Sequence, residues 1–340
     1  MRLWFARGAW VSRKARAVIA GIEPKAIRRI AVIRHGALGD MVVVRPFLLE
    51  IRKHFPNAEL TLSLVSNYVY SAPTELVDRV HVLYGSDRRD VSFREQISKM
   101  RELGQQDIIF DCADTSRGYW LTALSSAKLK IGYPFRTWQR HVFYDVAVFR
   151  SDFVFEADSM LHMLQLFGFK VQHPPAPCIP GDPQVHPRKY IMYFPSASTP
   201  SKCWPNDNFA ELIRRMAVNY PQHDHVVIQG IAQWETIEPI MQKLTAHANV
   251  TGVKPGSLNE CIGWVKGSVL LVANDTGIRN LAIMAGIPTI NILFSTYMPY
   301  RYWPNYGLHD VVFSYDAQVP DVDMVYTSVD NMMKKINSSI

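Results

Sequence analysis

Two short turns, far apart in the chain, place glycine and a carboxylate at the start of a predicted helix. One is R-H-G-A-L-G-D at residues 34–40, and the other is N-D-T-G at residues 274–277. Such a turn exposes backbone N–H groups at the positive end of a helix, where a phosphate or carboxylate can bind. The glycines of the first turn let the backbone bend tightly and approach a ligand closely. Asp40 in that turn can cap the helix or act as a general base.

The second turn and a polar loop before it are candidates for binding phosphate. Thr276 and the backbone N–H of Gly277 can hold a phosphate or a sugar hydroxyl, and Asp275 can accept a hydrogen bond from a sugar. An ordinary N-cap turn is the alternative. The loop P-S-A-S-T-P-S-K-C-W-P at residues 195–205 supplies hydroxyl groups and Lys202 at the start of a predicted helix. Its alternative is a polar turn with a surface lysine.

Several well-known site motifs do not occur. The first turn is not G-x-G-x-x-G, so a nicotinamide dehydrogenase is disfavoured. The loop at 195–205 lacks the Walker spacing, so it is not a P-loop. The four cysteines are scattered without a C-x-x-C pair, which gives no support for zinc and is typical of reduced thiols. Asp321 and Asp323 form a D-x-D in an acidic stretch that we expect to be exposed. We therefore predict no metal site.

Alternating strand and helix patterns must position these residues. Strands are predicted at 29–34, 60–65, 79–84, 107–112 and 128–132, and again at 190–194, 225–229, 269–273 and 289–294. Helices are predicted at about 40–54, 91–103, 116–125 and 154–168, and again at about 206–219, 235–246, 257–267, 277–285 and 324–337. The strand segments are nearly continuous in Val, Ile and Leu, as expected when helices cover both faces of a parallel sheet. The pattern predicts an α/β protein with two such sheets.

A proline-rich segment marks the boundary between the two sheets. Residues 173–187 contain six prolines, which cannot continue a helix or a central strand. The predicted organisation is a basic amphipathic leader at 1–28, a first domain at 29–172, this linker at 173–187, a second domain at 188–323 and a C-terminal helical segment at 324–340. We expect that last segment to be able to pack back on the first domain.

Charge narrows the choice of partners. The 340 residues carry a formal net charge of +7, which favours a polyanionic partner such as a phosphorylated substrate or an anionic membrane. Nucleic acid is disfavoured because no nucleic-acid motif is recognised. The leader at 1–28 can be an amphipathic helix on an anionic membrane or a solvated segment. Without a membrane-spanning run or a recognisable signal peptide, we expect a cytoplasmic protein.

Three motifs occur in one order along the chain. They are R-x-G-A-L-G-D-M at 34–41, K-x-W-P-x-x-x-F at 202–209 and N-D-T-G-x-x-x-L-A-x-x-x-G-x-P at 274–288. Together they resemble the ADP-heptose:lipopolysaccharide heptosyltransferases of glycosyltransferase family 9, over about residues 29–310. The resemblance implies a GT-B fold, in which two Rossmann-like domains with parallel sheets face each other across a central cleft. It also implies an inverting transfer from ADP-heptose that needs no metal and no cofactor.

The resemblance further implies roles for individual residues. Asp40 matches the catalytic base, and Lys202 matches the lysine that neutralises the diphosphate. The implied donor-binding residues are Ser198, Lys202, Glu235, Asp275, Thr276, Gly277 and Asn280. Two positions depart from the family pattern, since Asn280 replaces the usual histidine and L-F-S-T at 293–296 replaces an aromatic-Gly-x-T segment. Both departures fall near the donor, so the identity of the donor sugar stays open.

We expect the acceptor to bind the first domain. Basic residues concentrate around its fourth and fifth strands, namely Arg117, Lys128, Lys130, Arg136, Arg140 and His141. Such a cluster can recognise the phosphates and sugar-acid carboxylates of a lipid A–inner-core glycolipid, or it can be an ordinary solvated face. The predicted acceptor-binding residues are Gly39, Arg117, Arg136 and Arg140. This acceptor implies a peripheral position on the cytoplasmic face of the inner membrane.

Two other functions stay open. One is a GT-B transferase with another nucleotide-sugar donor or a protein acceptor. The other is a catalytically silent homologue that binds a nucleotide sugar. Asp40 and Lys202 argue against the silent homologue, because a protein without activity need not retain both.

Overall fold

The computed structural model describes residues 10–88, 90–134, 138, 142–230, 234–294, 299–313 and 318–338. Contacts within the chain divide it into two compact units, Met1–His173 and Pro174–Ile340. Each unit contains one β-sheet with its own helices.

The first unit is a seven-stranded sheet. Its strands are β1 Trp10–Val11, β2 Arg29–Ile33, β3 Glu59–Val65, β4 Arg79–Leu83, β5 Gln106–Asp111, β6 Ala127–Gly132 and β7 Val146–Ala147. Its helices are α1 Arg13–Ala20, α2 Leu38–Val43, α3 Arg45–His54, α4 Phe93–Arg101, α5 Ser116–Leu124 and α6 Glu156–Gln165. The strand order is β1-β7-β6-β5-β2-β3-β4, and β1 pairs antiparallel with β7 while the other neighbours are parallel. The five strands predicted for this half are confirmed, because their runs of Val, Ile and Leu are buried in the sheet.

The described part of the leader belongs to the first unit. Val11 pairs with Val146 of β7, and the backbone N–H of Ser12 donates to the carbonyl of Asp145 at 2.9 Å. Ser12 also caps α1 by accepting the N–H of Ala15, which is fully buried. Backbone pairing and burial therefore attach residues 10–20, which fall within the predicted leader at 1–28, to the sheet of the first unit. Residues 1–9 lie outside the described residues.

The second unit is a six-stranded parallel sheet with the order β10-β9-β8-β11-β12-β13. Its strands are β8 Tyr190–Phe194, β9 Asp224–Ile228, β10 Val250–Val253, β11 Leu270–Asn274, β12 Thr289–Leu293 and β13 His309–Phe313. Its helices are α7 Asn206–Asn219, α8 Glu238–Met241, α9 Leu258–Gly267, α10 Gly277–Met284 and α11 Val322–Ser338. The four predicted strands are confirmed. The sequence analysis missed β10 and β13, which are the two edge strands and mix polar with apolar residues.

Helix 235–246 was predicted too long. The structure has only α8 there, and the backbone N–H groups of Lys243, Leu244 and His247 donate to carbonyls three residues earlier. Those bonds belong to turns and tighter helical geometry, so the α-helix ends after one turn.

The C-terminal segment packs within the second unit. The apolar face of α11 joins that unit's core through Val325, Val329, Met332, Met333 and Ile336. These residues recur at helical spacing and pack beside α7 and β13. The apolar face of this helix is therefore buried in the core of the second unit.

Residues 174–187 of the proline-rich segment belong to the second unit. The backbone N–H of Cys178 donates to the carbonyl of Met284, and that of Gln184 donates to the carbonyl of Gly263, both at 2.8 Å. Lys266 donates to the carbonyl of Ile179 at 3.0 Å. Within the described ranges, no helix combines the length and apolar character needed to cross a membrane.

Candidate active site

Asp40 lies in the first turn of α2, at the carboxyl end of β2. Its Oδ2 accepts the backbone N–H of Ala37 at 3.0 Å, and its Oδ1 accepts Nη2 of Arg34 at 2.5 Å. The side chain is still 37% exposed. The contact with Ala37 is a capping contact, and the exposed part of the carboxylate retains lone pairs that can accept a proton. The same carboxylate can therefore both cap the helix and face solvent.

The position of the Asp40 side chain leaves no room for a side chain at residue 36. A Cβ at position 36 would lie 2.3 Å from Asp40 Cγ, much closer than two carbon atoms can approach. The glycine thus makes room for the carboxylate, whereas the sequence analysis explained it by the approach of a ligand. Gly39, predicted to contact the acceptor, is buried within α2.

Arg34 holds Asp40 from inside the first unit. Its guanidinium is 3% exposed and uses Nη1 to contact Glu156 Oε1 at 2.7 Å and the carbonyl of Cys112 at 2.5 Å. Burial by itself lowers the pKa of Arg34, but the negative charges of Asp40 and Glu156 raise it above its ordinary value. The arginine is therefore a permanent buried cation behind an accessible carboxylate.

His35 and Arg117 lie close to this turn. His35 Nδ1 is 3.2 Å from Oγ1 of Thr115, which caps α5 by accepting the N–H of Gly118 at 3.1 Å. Burial and the charge of Arg117 lower the pKa of His35 to about 3, so its imidazole is neutral near pH 7. Arg117 is exposed in the first turn of α5.

Other members of the predicted basic cluster are distributed differently. Lys128 pairs with Asp107 at 2.8 Å, and Lys130 donates to the carbonyl of Ala123 at 3.4 Å. The predicted acceptor residues Arg136 and Arg140, with His141, lie outside the described residues.

In the second unit, the loop at 195–205 and the N-D-T-G turn form one site. Lys202 Nζ donates to Asp275 Oδ2 at 3.1 Å, although the two residues are 73 positions apart. The Lys202 side chain is 31% exposed and that of Asp275 is 14% exposed. This site therefore presents a cation to solvent and buries most of the acid.

Asn274 fixes the loop that carries Lys202. Its side chain is fully buried at the end of β11. Oδ1 accepts the backbone N–H of Trp204 at 3.0 Å, and Nδ2 donates to the carbonyl of Pro195 at 2.6 Å. One amide group thus joins both ends of the loop to the strand that precedes Asp275.

Arg279 adds a second cation to this site. It is 1% exposed, and its Nη2 lies 3.5 Å from Asp275 Oδ1 at the i,i+4 spacing of α10. Its Nη1 donates to the carbonyl of Tyr302. Burial lowers the pKa of Arg279, and the Asp275 charge opposes that effect. Asp275 is therefore shared between a buried arginine and a partly exposed lysine.

The remaining residues predicted to bind the donor lie at the start of α10 and in the polar loop. Thr276 is the N-cap residue, its side chain makes no capping hydrogen bond, and Gly277 is the first helical residue. Asn280 is 7% exposed, and its Oδ1 has no hydrogen-bond partner within the described structure. Ser198 is exposed.

Glu235 lies beside the same loop. Ser196 Oγ donates to the Glu235 carbonyl at 3.4 Å. A Cβ at Gly230 would lie 2.4 Å from Glu235 Oε2, so the glycine makes room for this carboxylate.

The two acids of the D-x-D pair have other partners. Asp323 Oδ1 is 2.5 Å from Arg215 Nη1, and Asp321 Oδ1 accepts the N–H of Met324 at 2.8 Å. In the part of the chain that is described, no group of three or more His, Cys, Asp or Glu side chains is arranged to hold a metal ion.

The sequence analysis gave no role to Arg34, Glu156, Asn274 or Arg279. Arg34 and Asn274 stand within the motifs it quoted, and Arg279 follows Asp275 by four residues in a predicted helix, which is a usable signal for an ion pair. Glu156 is 122 residues from Arg34 and carries no local signal.

Solved structures with similar folds include bacterial glycosyltransferases and a UDP-N-acetylglucosamine 2-epimerase from Listeria monocytogenes. E. coli heptosyltransferase WaaC with ADP matches with a TM-score of 0.70 and 16% identity, covering 91% of this chain and 99% of that one. A family 9 glycosyltransferase from Veillonella parvula matches with a TM-score of 0.68 and 17% identity, covering 92% and 99%. E. coli ADP-heptose lps heptosyltransferase II matches with a TM-score of 0.59 and 14% identity, covering 90% and 99%. These matches confirm the predicted α/β class with two parallel-sheet domains of GT-B type.

A search of curated protein sequences found no match. The family model described as glycosyltransferase family 9 (heptosyltransferase) matches residues 98–328, which is more than half of the chain. The chain therefore belongs to this family of glycosyltransferases, as its three ordered motifs indicated.

Proposed function

We propose that this glycosyltransferase moves a heptose from ADP-heptose to a lipopolysaccharide inner-core acceptor, with inversion at the anomeric carbon. The observation that carries the proposal is the Asp40 carboxylate, which buried Arg34 holds from one side while more than a third of it remains exposed. Family membership supports the donor class, since related solved structures hold ADP and ADP-2-deoxy-2-fluoro heptose.

In the proposed reaction, Asp40 takes the proton of an acceptor hydroxyl as its oxygen bonds to the anomeric carbon. The bond from that carbon to the β-phosphate oxygen of the donor breaks, and ADP leaves with the electron pair. Asp40 then returns its proton to solvent. General-base catalysis of this kind typically contributes about 10²–10⁴ in rate.

The second unit is proposed to stabilise the leaving diphosphate. Lys202 can turn from Asp275 towards a phosphate, because Arg279 stays beside Asp275 and keeps that acid compensated. The N–H groups at the start of α10, with Gly277 first, add positive potential there. Removing one electrostatic contact with a developing anion typically costs about 10²–10³ in rate. We propose that these groups act without a metal or cofactor.

The other donor contacts are proposed from the family pattern. Glu235 would hold the ribose, and Ser198 and Thr276 would contact phosphate or sugar oxygens. Asn280 would contact the sugar, since its buried Oδ1 has no partner in the described structure. Because histidine is usual at this position, a nucleotide sugar other than ADP-heptose is the second candidate donor.

The acceptor proposal includes a membrane-facing surface on the first unit. Trp120 and Leu124 are exposed on α5, and Trp138 and Val142 are exposed nearby. The Trp120 and Trp138 rings lie 5.9 and 5.4 Å from the Phe143 ring, so they form one aromatic group. Exposed tryptophan near basic residues such as Arg117 and Lys14 suits the interface of an anionic membrane. We propose peripheral binding on the cytoplasmic face of the inner membrane.

Thermal stabilisation by a panel of nucleotides and nucleotide sugars, with and without EDTA, tests the donor. A ligand that binds the native state raises its melting temperature. We expect ADP and ADP-heptose each to raise the melting temperature by the same amount with and without EDTA. We also expect ADP-heptose to support transfer to a lipid A–inner-core acceptor. A shift with UDP or GDP compounds alone would reject ADP-heptose as donor. ADP-heptose binding without transfer to any glycan or protein acceptor would favour the silent homologue.

Vesicle sedimentation tests the membrane surface. We expect binding to vesicles with anionic phospholipid, and weaker binding after Trp120→Ser. Phe93→Ser is the matched control, because Phe93 is also exposed on a helix but lies on α4. Equal binding of the two variants would reject this surface.

A further inference from the structure

Asp40 stands at the exposed end of a chain of charged side chains that runs through the first unit. Arg34 links Asp40 to Glu156, and Glu156 is also bound by Arg150. Arg150 Nη2 donates to Glu156 Oε1 at 2.6 Å, Nε donates to Oε2 at 3.2 Å, and Nη1 donates to Asp114 Oδ2 at 2.7 Å. The chain therefore connects α2 with the loop before α5.

A contribution to folding stability is a poor explanation for this series of linked charged side chains. Arg34 and Glu156 are almost fully buried, and removing charges from water costs several kcal/mol per ion. Buried ion pairs are often no more stabilising than apolar side chains of similar volume. The arrangement is better explained by what it does to the carboxylate at its exposed end.

The geometry fixes the guanidinium of Arg34. Its Nη1 is held by Glu156 and by the carbonyl of Cys112, and its Nη2 contacts Asp40. Glu156 cannot turn away easily, because it begins α6 at the positive end of the helix and is bound by Arg150 through both oxygens. Oδ1 of Asp40 therefore meets a planar group whose orientation is set from behind.

We propose that Glu156 and Arg150 are positioning residues for the reaction. They hold the Arg34 guanidinium against Asp40. Their opposite charges determine how strongly Arg34 stabilises the negative charge of that carboxylate. This inference rests on the proposed role of Asp40 as the base. Neither residue is expected to touch the substrate.

The other charged and titratable groups around Asp40 do not duplicate this control. His35 follows Arg34, and burial keeps its imidazole neutral near pH 7. Burial raises the pKa of the Cys112 thiol beyond its ordinary value, so it also stays neutral. Asp114 is paired with Arg150, and Arg117 contributes positive charge from α5. The charges behind Arg34 are thus Glu156 and Arg150 with its partner Asp114.

Two charge-removing variants should shift the pH dependence of the reaction in opposite directions. Glu156→Gln removes a negative charge from behind Arg34, so the acidic limb of the kcat/KM profile should move to lower pH. Arg150→Gln leaves Glu156 with one cation fewer, so the limb moves to higher pH. In both variants kcat falls by roughly 10-fold or more through loss of orientation, while KM for the donor changes little.

Glu50→Gln is the matched control. Glu50 is a buried glutamate of α3 in the same unit and is bound by Lys53 and His54. Its loss removes the same charge without touching the chain behind Asp40, so the acidic limb should stay at the wild-type pH. Circular dichroism and melting curves establish whether each variant is folded.

Milder variants keep the test decisive if the buried changes prevent folding. Glu156→Asp retains the charge and should keep the wild-type limb with a lower kcat. Asp114→Asn removes a partly exposed charge at the far end of the chain and should move the limb slightly to lower pH. The inference would be overturned if the acidic limb of the kcat/KM profile stayed at the wild-type pH in both Glu156→Gln and Arg150→Gln, or moved in the same direction in both. An active Asp40→Asn enzyme would instead reject the base assignment itself.

Discussion

The charged sites of the two units have opposite polarity. In the first unit the carboxylate of Asp40 is 37% exposed and its arginine is 3% exposed. In the second unit Lys202 is 31% exposed, while the acid Asp275 and the second cation Arg279 are largely buried. One site thus offers an anion backed by a buried cation, and the other offers a cation backed by a buried acid.

Under the proposed function, the two sites have different roles in the reaction. An exposed carboxylate with a fixed orientation suits proton removal, whereas an exposed ammonium suits an anionic leaving group. In the first site the exposed carboxylate and its buried arginine are six positions apart in one turn. In the second site the exposed lysine comes from the loop at 195–205, and its buried acid comes from the turn after β11, 73 positions later.

The largest expected effect is the loss of the exposed anion. Asp40→Asn keeps the shape of the side chain but removes its capacity as a base, so kcat should fall by about 10²–10⁴. Stabilisation by ADP should remain, because Asp40 belongs to the first unit's site. Asp90→Asn, a change at an exposed surface acid, is the control. Full activity of Asp40→Asn would remove the basis for the comparison.

The second effect concerns the exposed cation. Lys202→Met should lower kcat by about 10²–10³ and weaken stabilisation by ADP, because the diphosphate loses its mobile positive charge. Lys243→Met is a matched control, since Lys243 also pairs with an aspartate but lies at the surface on Asp207. Equal transfer rates and equal ADP stabilisation for the two variants would show that Lys202 has no part in donor binding.

A third test distinguishes the charge of Lys202 from the hydrogen bonds of Asn274 that hold the Lys202 loop in place. Asn274→Ala leaves the N–H of Trp204 and the carbonyl of Pro195 without their buried partner, so unfolding should become easier by about 2–4 kcal/mol. Donor affinity should fall as well, because the loop that carries Lys202 loses both attachments. Asn206→Ala changes an exposed asparagine of the same unit and should alter the melting temperature little. A loss of stability with unchanged ADP affinity would uncouple the loop from the site.

The smallest effect is a difference in response to acid. Burial lowers the pKa of His225 in the second unit to about 4, and raises the pKa of Asp111 in the first unit to about 6. Unfolded His225 takes up a proton near pH 6.5, so its contribution is complete above that pH and is lost towards pH 4. At pH 5 the loss is about 2 kcal/mol.

The contribution of Asp111 to the free energy of unfolding changes with pH in the opposite direction. Its contribution is present below about pH 4 and is lost as the pH rises through 6. Hydrogen exchange of β9, which carries His225, and of β5, which carries Asp111, measures the two responses at pH 7 and pH 5. His225→Phe should flatten the response of β9 and leave that of β5 unchanged.

Much of the fold was predictable because its signals are local. Nine strands were placed by runs of Val, Ile and Leu, and the motifs located Asp40, Lys202 and Asp275 at the starts of helices or beside them. Four strands of the described structure were missed. β1 and β7 have only two residues each, and β10 and β13 are edge strands with polar residues, so all four carry little periodic signal. The late start of helix 235–246 had a signal in the sequence, because Pro239 is tolerated in the first turn of a helix and not in its interior.

The site was less predictable where its contacts are distant in the chain. Arg34 meets Glu156 only because β2 and α6 belong to one folded unit, and no spacing rule connects the two residues. Arg279 was within reach of sequence reasoning, because its i,i+4 relation to Asp275 is visible in the predicted helix. The glycine at 36 was misread for a different reason, since Asp40 occupies the space into which we expected a ligand to approach.

The short strand β1 also has a consequence for the sheet as a whole. It lies at the end of the strand order and pairs antiparallel with β7, so it covers backbone groups that β7 would otherwise leave open. Uncovered strand edges are templates for pairing with another chain. A chain shortened to begin after residue 12 would therefore expose a two-residue edge beside Asp145 and gain a route to self-association, even though every residue assigned to the two sites would remain.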